Sequence, residues 1–152
     1  MENRSIVHLD DGTKVYDFIR DGKVFAKVHI RPNDISFLDR KKTANERIEQ
    51  VGLQLEAANH AETDDQFNQM FGEAEKAVVD VLNWLFDTAD MSEVFKENGP
   101  FALTPDGEAF CMVVVEELSK VFEEAIAEEK RLMNDRVENQ PNTINENRKD
   151  EE

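Results

Sequence analysis

The chain has 152 residues, 34 of them acidic and 18 basic, for a net charge of −16. That length suits one domain, and that charge is repelled by bare phosphate backbones and anionic lipid surfaces, so neither direct nucleic-acid binding nor membrane binding is expected. Hydrophobic residues make up 39%, enough for a modest core, while no run of about 18 apolar residues is present to cross a bilayer.

Residues 5–30 read as β structure. SIVHL (5–9) is a short apolar run, and Asp10-Asp11-Gly12-Thr13 is a turn. KVYDFIR (14–20) follows, then Asp21-Gly22, a strong hairpin signal because Gly tolerates positive φ. In the third run Val24, Ala26, Val28 and Ile30 alternate with Phe25, Lys27 and His29, giving one apolar face. The expected unit is a three-stranded antiparallel meander, marginal alone, whose Val24 face lies on helices.

Pro32 forbids further pairing at its nitrogen, and Asn33 or Asp34 can cap a helix. That helix is expected over 35–59, on a stripe of Phe37, Ala44, Ile48, Val51, Leu55 and Ala58, weakly packed or broken near 40–45 where DRKKT is polar and basic. The central helix spans 66–87. Its apolar residues, Phe67, Met70, Phe71, Ala74, Val78, Val81, Leu82 and Leu85, fall on one helical face, with Trp84 and Phe86 beside it. Thr63 or Asp64 is its N-cap, and Asp64 and Asp65 sit at the positive end of the helix dipole. A short helix over 91–97 stops at Asn98-Gly99-Pro100. Thr104 then looks like an N-cap with Pro105 at the first helical position, opening a last helix that runs to about residue 134 through Phe110, Val113, Val114, Leu118, Val121, Phe122 and Ala125.

The expected fold class is therefore α+β: a small N-terminal antiparallel meander, three long helices and one short one. Residues 1–134 form the single domain, with the meander at 5–30 and the helical part at 35–134. Residues 135–152 lack aromatic side chains and periodicity, and are expected to be a disordered acidic and polar tail.

No nucleotide, hydrolase or metalloprotease motif is present. His8, His29 and His60 are far apart, and Cys111, the one cysteine, cannot supply a thiolate zinc site or an internal disulfide. Its apolar neighbours make it a core thiol, and a reducing compartment is expected. The first twelve residues have no apolar h-region, so no secretory signal is expected. Asp10-Asp11, Asp64-Asp65, Glu116-Glu117 and Glu123-Glu124 read as turn, cap and solvated face, because neighbours on a helix point about 100° apart and do not converge on one site. No enzyme, cofactor or metal is expected. Trp84, Phe86 and Phe95 are large aromatics at the margin of the stripe, and are the candidate partner-binding residues, set against an ordinary core role.

Three stretches carry a family resemblance. The strand VFAKVHI runs into RPND and then ISFLDR (24–40); VLNWLFD (81–87) is followed by MSEVF (91–95); and the helix of 107–127 precedes a charged tail. In this order they resemble the tail assembly chaperones of long-tailed (siphovirus-type) bacteriophages. Where that family has a glycine-rich loop, this chain has VFKENG (94–99). The resemblance implies a non-enzymatic chaperone that binds the tail tube and tape measure proteins during tail morphogenesis, acts in the cytoplasm of the host bacterium and is absent from the mature virion. Self-association into a homo-oligomer is a further expectation. The net charge admits a different reading, an acidic DNA mimic of the anti-restriction or anti-CRISPR type that binds a basic host protein through carboxylates spaced like phosphates. Glu116, Glu117, Glu123, Glu124, Glu128 and Glu129 are its candidates, interrupted by Lys120 and Lys130.

Overall fold

Two antiparallel strands lead into four helices in the computed structural model, which describes residues 4–138. The strands β1 (Lys14–Arg20) and β2 (Lys23–Ile30) form a hairpin closed by Asp21 and Gly22, both at positive φ. The helices are α1 (Phe37–Asn59), α2 (Asp64–Phe86), the single turn α3 (Met91–Val94) and α4 (Phe110–Glu138). The α+β class holds, with one correction: among the described residues the sheet has two strands, not three. Residues 5–9 are unpaired, and Ile6, Val7 and Leu9 are 81%, 74% and 86% exposed. The turn before β1 is fixed by side chains. Gly12 N donates to Asp10 Oδ1 and Thr13 N to Asp11 Oδ1, each at 3.0 Å. Gly12 has φ +83° and lies against Asn33, where a Cβ would come within 3.1 Å of Oδ1.

On β2, Ala26, Val28 and Ile30 are buried as the alternation predicts, whereas Val24 is exposed. The register explains this. Phe18 pairs with Ala26 but Ile19 pairs with Val24, so Phe25 is an extra residue, a β-bulge. Phe25 packs edge-on against Phe18 at 6.1 Å and under the Arg20 guanidinium at 5.1 Å.

Helix α1 is unbroken through 40–45, contrary to the expected weak spot. Ala44 is fully buried there, and Arg40 is bound rather than loose. Arg40 Nε donates to the Leu85 carbonyl at the end of α2 (3.0 Å), and its Nη1 donates to Asp34 Oδ2 (3.1 Å). Thr63 caps α2, its hydroxyl accepting from Gln66 N at 3.1 Å. At the other end Asp87 is left-handed (φ 50°), and the N–H of Thr88 returns to the Asn83 carbonyl, which terminates the helix. The apolar face of α2 enters the core only from Ala74 onward; Phe67 lies at the surface.

The start of α4 also differs from expectation. Thr104 and Pro105 do not open a helix. They form a tight turn in which Thr104 N donates to Glu108 O and Gly107 N to Thr104 O, both at 2.8 Å, and Leu103 bridges Ala109. The same loop caps α4 with backbone, since Phe110 N and Cys111 N donate to the carbonyls of Ala102 and Pro100 at 2.8 Å. At its far end α4 runs through residues 135–138, which the sequence assigns to the tail; residues 139–152 lie outside the described residues. No helix among the described residues is long and apolar enough to cross a membrane.

The core centres on three phenylalanines. Phe37 opens α1, Phe86 closes α2 and Phe122 lies midway along α4; all are fully buried, with ring centroids 4.4 to 5.9 Å apart. Truncating Phe122 removes one wall of this cluster, and Phe122→Ala should cost about 3–5 kcal/mol, read as a lower urea midpoint at unchanged m-value.

Asp34 supplies a separate test. Burial pushes its carboxyl up, but hydrogen bonds from Arg40 and the Ser36 N–H, with the charges of Arg40 and Arg31, outweigh that and hold it below the usual carboxylate range. Such a group stabilises the fold fully above its unfolded value, about pH 4, and loses the contribution as pH falls through the folded value. Asp34→Asn should therefore lose about 1–3 kcal/mol at pH 7. The deficit against the parent should shrink on acidification below about pH 4, as paired urea titrations would show.

Candidate interaction groove

Among the described residues strand β1 pairs with β2 alone. Its other edge faces a groove of about 390 Å³ between the strand and the first three turns of α4. Phe18, Phe110, Val113, Val114, Leu118 and Val121 make its lining predominantly apolar. Charged groups border it: Asp17, Arg20 and Glu117 are all exposed. Arg20 is engaged by Glu97 (2.6 Å). Burial pushes the Tyr16 phenol up, consistent with its place in the lining.

The two sheet edges are not equivalent. His29 N donates to Asp90 Oδ2 at 2.8 Å, so the outer edge of β2 is covered by the segment that leads into α3. The backbone N–H of His29, then its ring at 3.0 Å, hold the Asp90 carboxyl below its usual range. Because His29 pairs with Val15 and its N–H points away from β1, Val15 belongs to a non-hydrogen-bonded pair. The backbone groups of Val15 and Asp17 consequently point to the open edge of β1.

The three expected partner-binding aromatics have separate environments. Phe86 is fully buried between Phe37 and Phe122, and Phe95 is buried edge-on against Phe110 at 5.6 Å. Both are covered by the protein's own helices. The reason is visible in the spacing: Phe86 follows Leu82 by four residues and so joins the core face. Trp84 is two residues away, on another face, and is 37% exposed with the Arg47 guanidinium 4.3 Å over its ring. Of the three, it alone reaches the surface.

The histidines, the cysteine and the acidic pairs lie in separate places among the described residues. Among the described residues no three His, Cys, Asp or Glu side chains cluster in a way that could hold a metal. His8 lies in the exposed N-terminal segment, His29 on β2 and His60 after α1. Cys111 is buried, and burial pushes its thiol up despite the backbone hydrogen bonds that oppose the shift, so it is protonated at neutral pH. Asp10 and Asp11 serve the turn, and Asp64 and Asp65 occupy the first turn of α2.

Sequence reasoning placed Val113 and Val121 in the core stripe of the last helix; the structure leaves both partly exposed along the groove. Their spacing around Glu117 (i, i+4, i+8) was the available signal, one apolar rim residue on each side of a charge. No protein-family model, curated protein or solved structure matches the chain.

As the one tryptophan, Trp84 reports directly on its face. Its fluorescence should be partly quenched by acrylamide. Arg47→Ala should increase that quenching while changing stability by about 1 kcal/mol or less. An unquenchable Trp84 would place it in the core.

Proposed function

We propose that the protein is a non-enzymatic interaction protein that holds an extended apolar segment of a partner in the groove between β1 and α4. Following the family resemblance, we take it to be a phage tail assembly chaperone whose clients are the tail tube and tape measure proteins in the host cytoplasm before tail assembly. The observation that carries this reading is an apolar groove set beside a strand edge that no described residue pairs with. An extended client gains backbone hydrogen bonds at such an edge and side-chain burial in such a groove, a recognition mode that is tolerant of sequence. A net charge of −16 supports the same role, because it keeps a protein with open apolar surface dispersed.

The DNA-mimic reading has less support. On α4, Lys120 lies within 4 Å of Glu116 and Glu117, Arg131 bridges Glu128 and Asp135, and Lys41 of α1 reaches Glu123 at 2.7 Å. These cations break up a phosphate-like array of carboxylates.

Affinity capture of the tagged protein from phage-producing cells tests the proposal. A tube or tape measure protein should be recovered, and Val121→Glu, which charges the groove wall, should cut recovery by about tenfold or more. Recovery of a nuclease by both forms would overturn it in favour of mimicry.

A further inference from the structure

Two unsatisfied features lie at the same end of the chain. One is the open edge of β1 with its apolar groove. The other is the segment of residues 5–9, SIVHL, whose Ile6, Val7 and Leu9 are almost wholly exposed. The segment carries no Asp, Glu, Lys or Arg. It is rich in β-branched residues, and five extended residues span about 17 Å, a length that fits along β1. Such a segment is made to be a strand, yet in its own chain it is not one.

A side-chain-fixed turn separates the segment from β1. Asp10 and Asp11 lock the turn through the N–H groups of Gly12 and Thr13, and Gly12 is pressed against Asn33. Residues 5–9 do not pair with β1 of their own molecule, and among the described residues nothing pairs with the outer edge of β1. We propose that residues 5–9 of one molecule add as a third strand to the β1 edge of a second copy, with Val7 and Leu9 on the face turned to the groove.

This proposal rests on the groove being a docking surface, as argued above, and assigns its occupant in the absence of a client. It also makes self-association the device that shields the groove until a client displaces the segment. The segment brings no charge of its own to an acidic surface, whereas mutual repulsion of two highly acidic molecules opposes tight pairing. Association is therefore expected to be weak and concentration-dependent. If exchange is reciprocal the product is a two-fold dimer; if it runs head to tail the product is an open chain.

Light scattering of the full chain over a micromolar to millimolar series tests this without any client. The parent should grow beyond a monomer. Val7→Asp with Leu9→Asp, at sites exposed enough to leave the fold intact by circular dichroism, should weaken association on the order of 100-fold. Val121→Glu should do the same from the groove side. Mixing the segment variant with the groove variant should restore a heterodimer, because one intact segment then meets one intact edge. A parent that stays monomeric throughout would overturn the proposal, as would a segment variant that associates like the parent. If self-association fails these tests while Val121→Glu still loses client capture, the client reading stands and only this proposal falls.

Discussion

The stacking of Phe37, Phe86 and Phe122 is the contact on which the arrangement of helices depends. Each ring comes from a different helix, and from a different place along it: the first residue of α1, the last of α2 and the middle of α4. One cluster therefore fixes where α1 begins relative to where α2 ends, and seats α4 across both. The polar groups around it are consistent with this role. Arg40 joins the Leu85 carbonyl to Asp34, so a single guanidinium ties the end of α2 to the entry of α1. Side-chain exposures of 16% and 11% for Arg40 and Asp34 mean that this pair is only weakly screened by solvent. The exposed Lys41–Glu123 pair between α1 and α4 contributes far less.

Helices were legible from sequence because their signal is local and repeated. The stripe of α2 and the Thr63 cap act within a few residues and survive in the structure. The elements that were misread depend on distant partners. SIVHL has the composition of a strand, but pairing needs a turn that folds it back, and the turn that follows is instead closed on itself by the Asp10 and Asp11 side chains. Thr104-Pro105 has the local form of a helix start, but the loop uses its backbone groups for a turn and a bridge, and the carbonyls of Pro100 and Ala102 cap α4 instead. Phe86, a candidate for either core or interface from its place beside the stripe, is core, because Phe37 and Phe122 of two other helices pack on it.

The groove was illegible for the same reason. Nothing in KVYDFIR reveals which strand edge stays open. That depends on Asp90, sixty-one residues from His29, reaching back to cover the other edge. Once β2 is covered and residues 5–9 stand away, the apolar rim of α4 faces an unpaired strand. Val113 and Val121 then become surface rather than core, with no change in their own local pattern.

An open strand edge is a hazard that proteins usually blunt with charge, proline or a bulge. This hairpin carries a bulge at Phe25, near its tip, while the stretch of β1 from Lys14 to Phe18 keeps regular pairing with β2. At the bulge Phe25 packs edge-on against Phe18, and the regular half is left with its outward backbone groups at Val15 and Asp17. Of these, Asp17 places a charge at the edge, partly countered by Lys27 at 3.4 Å. That is weak protection for an edge bordered by so much apolar surface. Protection at the level of the whole molecule is stronger: a charge of −16 repels other copies and most acidic proteins from a distance, yet does little against an uncharged segment already delivered to the edge. Long-range repulsion and short-range affinity thus act on different parts of a partner, which is the combination that the proposed docking of extended apolar segments requires.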